Sequence, residues 1–319
     1  MRRILVTARS FGQSDDQPVQ LLKGHGYDVI KLNNQKPLNA AGMRPEIHGF
    51  DAVIAGLDEI DRSVIENAPG LKVISRYGVG YDNVDLAAAR EHGVIVTITP
   101  GTNHNSVADL AMALLLLAAR RVPLTDQWAK TGRKPQIGMD VWGKTIGIIG
   151  LGKIGRGVAV RARGFSMDIL YYDTILDDDF AREHGIRYAD PDEIYEKADF
   201  ITIHTPLTEQ TLHFIGAPQM AKMKRTVILI NTARGGIIDE QALYEALRDG
   251  VIAAAALDVT ENEPLADSPL LSLDNCIITP HIGSYTKEAV HRMGMTAAQN
   301  VIDVLETGHC KNQITEAAL

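Results

Sequence analysis

Short, continuously apolar runs rich in valine and isoleucine recur along the chain, and they constrain its fold more than any other feature. Runs without apolar/polar alternation are typical of parallel strands that are covered on both faces. The segments between them are long enough for the crossover helices that parallel strands require. The runs predicted as strands are 3–8, 27–32, 52–56, 71–75, 94–98, 145–150, 169–173, 200–204, 227–231, 253–259 and 277–279.

These strands fall into two sets, which predicts the α/β class with two doubly wound parallel-sheet domains. Between the sets lies 106–121, a helical segment that is apolar on nearly every side and is therefore expected to be buried, in the interior or at a subunit interface. Ser106, with Asp109 three residues later, resembles a capping box at its start.

Two further segments complete the prediction of secondary structure. Residues 122–143 are interpreted as a loop. The last strand is followed by a long helical pattern over 286–307, and Gly308 is placed to end that helix.

Composition excludes several classes of protein. The 319 residues include 32 Lys and Arg and 40 Asp and Glu, a net charge of −8 with no long basic block, which argues against nucleic-acid binding. The longest apolar run, 110–119, is shorter than the roughly 20 residues that cross a bilayer. Two cysteines exclude a disulfide framework and a cysteine-based zinc site. We therefore expect a cytoplasmic protein with no membrane segment and no metal.

A glycine motif points to the ligand of the second sheet. Gly150, Gly152 and Gly155 form Gly-x-Gly-x-x-Gly between an apolar strand and a helical segment, as in the dinucleotide-binding fingerprint. These glycines permit a tight turn, close approach of a pyrophosphate to a helix N-terminus, and close helix packing. Asp173 ends the next strand, where a carboxylate binds ribose hydroxyls and repels a 2′-phosphate. The pattern therefore favours NAD over NADP.

Three chemically active side chains follow strands that come after this motif. They are Arg234, Glu263 and His281. Because ligands bind beyond the carboxyl ends of parallel strands, we expect these residues to share a cleft with the nicotinamide. Hydride transfer at a hydroxyl carbon also needs a proton transfer, which suits a histidine paired with a carboxylate. The planar guanidinium of an arginine matches a substrate carboxylate. Each residue alone could be an ordinary surface group; the ordered set predicts an active site.

Several motifs in order resemble the D-isomer-specific 2-hydroxyacid dehydrogenase family, and most of all its phosphoglycerate dehydrogenase branch. They are 75–85, 150–155, 204–206, 231–236, 258–264 and 280–283. The resemblance implies NAD-dependent interconversion of a 2-oxo acid and its D-2-hydroxy acid. It also implies a Rossmann NAD-binding domain, 100–287, inserted into a flavodoxin-like substrate-binding domain, 1–99 and 288–319. The helix 106–121 and the segment after it would form a homodimer contact.

The resemblance also implies roles for matching residues. His281 would protonate the C2 oxygen, Glu263 would orient its imidazole, and Arg234 would bind the carboxylate and polarise the ketone. Further substrate contacts would come from Arg76 and from the backbone N–H groups of Gly78 and Val79. Asp258 would hold the nicotinamide carboxamide. The full set of expected cofactor contacts is Gly150, Gly152, Lys153, Ile154, Gly155, Asp173, Thr205, Pro206, Thr232, Ala233, Asp258 and Gly283.

The substrate favoured by the resemblance is phosphoglycerate-like, a 2-oxo or 2-hydroxy acid with an additional anionic group. A phosphoglycerate-like substrate carries a second anionic group; Arg76 matches that branch, but 55–58 lacks its usual arginine and contains Asp58. Lys130, Arg133 and Lys134 could supply positive charge or belong to a solvated basic loop. The alternatives are a glyoxylate or hydroxypyruvate reductase, and a non-enzymatic NAD-sensing, corepressor-like binding protein.

Overall fold

The computed structural model describes residues 1–132 and 136–315. The chain forms two compact units. Unit 1 comprises Met1–Asn103 and Ser284–Leu319, and unit 2 comprises His104–Gly283. Unit 2 is therefore inserted into unit 1 along the chain. Each unit contains one parallel sheet, so the predicted α/β class with two parallel sheets is confirmed.

Every apolar run interpreted as a strand forms one, because both faces of each sheet are covered by packed side chains. The strands are β1 Arg3–Val6, β2 Asp28–Lys31, β3 Ala52–Ala55, β4 Val73–Arg76, β5 Ile95–Thr97, β6 Thr145–Ile149, β7 Asp168–Tyr172, β8 Arg187–Tyr188, β9 Phe200–Ile203, β10 Ile228–Asn231, β11 Ala254–Leu257 and β12 Cys276–Ile278.

Helices occupy most of the connections between strands. They are α1 Gln17–Gly24, α2 Ala40–Ile47, α3 Arg62–Glu66, α4 Leu86–Glu91, α5 His104–Ala119, α6 Val122–Thr131, α7 Lys153–Arg163, α8 Asp178–His184, α9 Pro191–Lys197, α10 Ala217–Met220, α11 Glu240–Arg248 and α12 Lys287–Thr307. Short 3₁₀ turns lie at Gly235–Ile237 and Pro269–Ser272. No helix of the described residues is both long and apolar enough to cross a membrane.

The sheet of unit 1 has the order β2-β1-β3-β4-β5, which is the flavodoxin-like order. Helix α12 returns from the far end of the sequence to pack on this sheet, with Ala297 and Val301 buried in the same cluster as Ile4 and Ile54. The hydroxyl of Thr286 caps α12, and Gly308 ends it in the left-handed conformation, so the predicted helix 286–307 is confirmed.

The sheet of unit 2 has the order β12-β11-β10-β9-β6-β7-β8. The chain starts in the middle at β6, runs out to β8, and then crosses back to β9. The strand order thus reverses beside β6, which creates the switch point where α/β sheets bind ligands. The carboxyl ends of β6, β9, β10, β11 and β12 consequently lie along one edge of this sheet.

Two predictions of local structure are corrected, and one strand was not predicted. Residues 122–131 form α6 rather than a loop, because Pro123 lies in its first turn and Gly132 ends it in the left-handed conformation. Helix α5 begins at His104, two residues before Ser106, and Asp109 pairs with Arg161 of α7 at 2.7 Å instead of completing a capping box. The two-residue strand β8 was not predicted because both of its residues are exposed.

Candidate active site

The glycine motif forms the turn between β6 and α7. Gly150 has a φ of +97°, and a Cβ there would lie 2.7 Å from the carbonyl carbon of His204. A Cβ on Gly155 would lie 2.0 Å from the carbonyl oxygen of Gly150. A Cβ on Gly152 would meet no protein atom within 4 Å. The turn therefore leaves open space in front of the first N–H groups of α7, at Lys153 and Ile154, which fits a pyrophosphate.

Asp173 follows β7 and lies against the same turn. Its Oδ2 accepts a hydrogen bond from the Leu151 N–H at 2.6 Å, and its Oδ1 accepts one from the Ile175 N–H at 3.0 Å. Each oxygen keeps a second lone pair, so the carboxylate can still accept from a ribose hydroxyl.

His281 and Glu263 form a contact pair. Nδ1 of His281 lies 2.7 Å from Oε2 of Glu263, and both side chains are about three-quarters buried. With Nδ1 directed at the carboxylate, Nε2 is the ring nitrogen left to exchange a proton with a substrate. His281 has a φ of +54°, and its N–H donates to the carbonyl oxygens of Asp258 and Thr279.

Asp258 fixes the loop that carries His281. The carboxyl group accepts hydrogen bonds from the N–H groups of Ile282 and Gly283, each at 2.8 Å, and from the Thr279 hydroxyl at 2.6 Å. Asp258 is only 2% exposed, and burial raises the pKa of its carboxyl group. The sequence did not predict this role, and it missed Thr279 altogether.

Arg234 lies in the turn after β10, and Asn231 shapes that turn. The Asn231 amide donates to the Arg234 carbonyl oxygen at 2.8 Å and accepts from the Ala233 N–H at 3.0 Å. Arg234 Nη1 donates to the carbonyl oxygen of Ala233 at 2.8 Å. Thr232 lies in the same turn. Asn231 is buried and positions this turn; the sequence places it in the motif 231–236 but assigns it no role of its own.

His204 joins the turns after β9 and β10. Its Nε2 lies 2.9 Å from the Thr202 hydroxyl, and its Nδ1 lies 3.4 Å from the Thr232 hydroxyl. Burial lowers the pKa of His204 to about 3, so the ring is neutral near pH 7. The two predicted cofactor residues that follow it, Thr205 and Pro206, start the loop that leaves β9 at this edge.

The predicted substrate loop lies in unit 1, directly after β4. Arg76 is 3% exposed, and its guanidinium donates to the carbonyl oxygens of Ala55 and Gly80, each at 3.1 Å. The carbonyl oxygen of Gly78 accepts from the N–H and the hydroxyl of Thr99. Val79 is exposed. Arg76 therefore holds the backbone of this loop by hydrogen bonds made from a buried position.

The other charged residues considered for a second anionic group are placed as follows. Asp58 is buried and accepts hydrogen bonds from the Thr7 hydroxyl and from the N–H groups of Leu38 and Gly56. Lys130 pairs with Asp126 on α6 at 2.6 Å. Arg133 and Lys134 lie outside the described residues. Within the ranges that the structure describes, no cluster of three or more His, Cys, Asp or Glu side chains could hold a metal ion.

Comparison with known proteins decides the family. A family model described as "D-isomer specific 2-hydroxyacid dehydrogenase, NAD binding domain" matches residues 112–283. This chain belongs to the D-isomer specific 2-hydroxyacid dehydrogenase family. It is thus an NAD(P)-dependent oxidoreductase that acts on the CH–OH group of 2-hydroxy acids, as the sequence predicted.

Relatives within the family carry two different names. Glyoxylate reductase from Korarchaeum cryptofilum is 46% identical over 285 residues, which cover 86% of each chain. D-3-phosphoglycerate dehydrogenase from Methanocaldococcus jannaschii is 47% identical over 266 residues, and the match covers 82% of this chain but only 51% of that protein. The crystal structure of TT0316 protein from Thermus thermophilus has a TM-score of 0.87 and 38% identity, covering 98% of this chain and 100% of that one.

Proposed function

We propose that this dehydrogenase uses NADH to reduce small 2-oxo acids, glyoxylate and hydroxypyruvate, to their 2-hydroxy acids. The observation that carries the reaction type is the 2.7 Å contact between His281 and Glu263, at the sheet edge where the turn of Arg234 also lies. A histidine held by a carboxylate is the acid that reduction of a ketone or aldehyde requires.

The steps follow from what each side chain can do. When bound, the reduced nicotinamide supplies the hydride that C2 of the substrate receives. Nε2 of His281 donates a proton to the C2 oxygen, and the Glu263 carboxylate stabilises the protonated imidazole before transfer. Arg234 binds the substrate carboxylate and polarises the C2 carbonyl group. The product is the 2-hydroxy acid, and the imidazole regains a proton from water.

The loop after β4 would add carboxylate contacts from its backbone. Among the described residues, no acceptor meets the N–H groups of Gly78 and Val79. Neighbouring carbonyl oxygens are held by Arg76 and Thr99, so these N–H groups are fixed in place. Oriented backbone N–H groups of this kind bind small anions.

Asp173 supports NADH over NADPH. Its carboxylate lies beside the pyrophosphate turn and is held there by the Leu151 N–H. A fixed negative charge at the end of this strand repels the 2′-phosphate of NADPH and accepts from the free hydroxyl of NADH.

The engaged basic residues favour a substrate with one anionic group. Arg76 is buried against two carbonyl oxygens, and Lys130 is paired with Asp126. The second candidate is phosphohydroxypyruvate, the substrate of a phosphoglycerate dehydrogenase in the reductive direction. It is favoured by the similarity to the Methanocaldococcus jannaschii relative.

We also propose that the active form is a homodimer joined through α5, α6 and the segment after them. Ile137 is 94% exposed and Trp142 is 68% exposed, which is unusual for large apolar side chains. Ile137 also lines a cavity of about 860 Å³, together with α6 and the amino ends of β10, β11 and β12.

Initial rates with each acid and each cofactor test the substrate and cofactor proposals. We expect kcat/KM to be highest for glyoxylate or hydroxypyruvate with NADH, and His281→Gln to lower it by about 10²- to 10⁴-fold. A preference for phosphohydroxypyruvate would establish the second candidate, and a preference for NADPH would refute the role of Asp173. Tight NADH binding without turnover of any acid would instead favour the corepressor-like protein.

A further inference from the structure

Two glutamates outside the proposed catalytic set exchange backbone hydrogen bonds. The N–H of Glu261 donates to Oε1 of Glu240 at 2.5 Å, and the N–H of Glu240 donates to Oε1 of Glu261 at 3.2 Å. We call this reciprocal pair the Glu240–Glu261 clasp. It ties the start of α11 to the loop that leads to Glu263.

The clasp lies next to a second close contact between the same two segments. A Cβ on Gly235 would lie 2.0 Å from the carbonyl carbon of Thr260 and 2.3 Å from the nitrogen of Glu261. The backbone after Arg234 therefore touches the backbone of the Glu263 loop directly, and only glycine permits that approach. The clasp closes the same junction five residues further along the chain.

From the clasp, a short chain of contacts leads to the proposed acid. The N–H of Thr260 points to Oε1 of Glu263 at 3.4 Å, and the Thr260 hydroxyl donates to the carbonyl oxygen of Asn262 at 2.8 Å. Oε2 of Glu263 lies 2.7 Å from His281. The loop 260–263 thus holds the carboxylate that orients the imidazole, and the clasp holds the loop.

Two carboxylates in close contact repel each other, so a contribution to folding stability does not by itself explain the Glu240–Glu261 clasp. Burial raises the pKa of Glu240, and the neighbouring charges of Glu261 and Glu263 raise it further. On its other side, Glu261 has His213 Nε2 at 3.2 Å. Two amide side chains would accept the same backbone hydrogen bonds without like-charge repulsion. The oxygen atoms that accept these hydrogen bonds, rather than the negative charges, therefore position the loop.

We propose that Glu240 and Glu261 are positioning residues that hold the His281–Glu263 pair and the turn of Arg234 in register. This inference rests on the proposed function, because the register matters only if these three residues act together. Small misplacements of reacting groups have large effects: about 1 Å can cost on the order of 10²-fold in rate.

Glu240→Ala tests the proposal and Glu240→Gln is its rescue. We expect kcat/KM for the best acid to fall by about tenfold or more in Glu240→Ala. Affinity for NADH should stay within about twofold, because the pyrophosphate turn lies on β6. Glu240→Gln keeps the acceptor and should restore the rate. Glu245→Ala, an exposed position on the same helix, is the matched control and should behave as wild type.

A second measurement does not depend on turnover. The NMR chemical shifts of the His281 ring nitrogens report its contact with Glu263, and we expect them to change in Glu240→Ala but not in Glu240→Gln. If Glu240→Ala does not fold, Glu261→Ala serves in its place. Wild-type rates together with wild-type chemical shifts of His281 in the alanine variant would overturn the proposal. Changed chemical shifts of His281 in an enzyme that turns over no acid would retain the clasp and refute the proposed function instead.

Discussion

The proposed acid, His281, has a left-handed backbone conformation, which residues with a Cβ adopt rarely. A φ of +54° at such a residue costs about 1–3 kcal/mol. The cost is offset by the buried Asp258 carboxylate, whose hydrogen bonds to Thr279, Ile282 and Gly283 determine the path of the loop. The orientation of the imidazole is therefore set by a neighbouring carboxylate as well as by Glu263.

His204 should make stability depend on pH. Its pKa is lowered from 6.5 to about 3 by burial, so its contribution is complete above about pH 6.5 and is lost as the pH falls toward 3. The slope is at most about 1.4 kcal/mol per pH unit. We expect the midpoint of thermal unfolding to decrease less between pH 6.5 and 4 in His204→Gln than in wild type. His309→Gln, at an exposed position, is the control. Identical slopes in all three proteins would show that His204 is protonated without cost.

The sequence alone could indicate candidate side chains in unit 2, but not what each one touches. Arg234, Glu263 and His281 could be proposed because each follows a strand at the edge where ligands bind. The inward roles of Asp258 and Arg76 were not predictable, because a carboxylate or guanidinium can bind a ligand or the backbone. Which of the two occurs depends on tertiary packing.

At the level of elements, a methyl group added to the turn between β6 and α7 can affect protein stability or NADH affinity, depending on which glycine is replaced. Gly152→Ala meets no protein atom, so stability should be unchanged, whereas the methyl occupies the approach of the pyrophosphate. Overpacking of this kind costs about 1–3 kcal/mol, so we expect the Kd for NADH to rise by about tenfold or more.

Gly155→Ala should differ from Gly152→Ala in one respect. Its methyl would lie 2.0 Å from the Gly150 carbonyl oxygen, so we expect loss of both thermal stability and NADH affinity. Fluorescence titration with NADH and thermal unfolding measure the two effects. Equal stability of the two variants would contradict the close packing of α7 on the turn.

Strands were predicted better than helices, for a physical reason. A parallel strand covered on both faces needs a continuous apolar run, which is visible without any tertiary information. Helix α6 has a mixed face and was interpreted as a loop, although Pro123 and Gly132 mark its two ends. Strand β8 has two exposed residues and leaves no such pattern.

At the scale of the whole molecule, the proposed homodimer should depend on the exposed apolar side chains after α6. The double variant Ile137→Asp with Trp142→Asp places charge on that surface, where desolvation would disfavour association. We expect light scattering to report a dimer for wild type and a monomer for the variant. Leu271→Asp, also at an exposed position, should remain dimeric. A wild-type monomer, or a dimer that survives the double variant, would refute this interface.

The return of α12 to the sheet of unit 1 has a consequence during synthesis on the ribosome. Unit 1 cannot complete the burial of Ile4 and Ile54 until residues near Ala297 have been made, and the whole of unit 2 is translated first. At about 5–20 residues per second, the sheet of unit 1 has one face only partly covered, by α1, for roughly 10–40 s. The strands of unit 1 are translated first, but the inserted unit is complete before α12 of unit 1 has been made. We therefore expect unit 2 to complete its folding before unit 1, which reverses the usual amino-to-carboxyl order. During that interval the incompletely covered sheet of unit 1 is expected to bind chaperones.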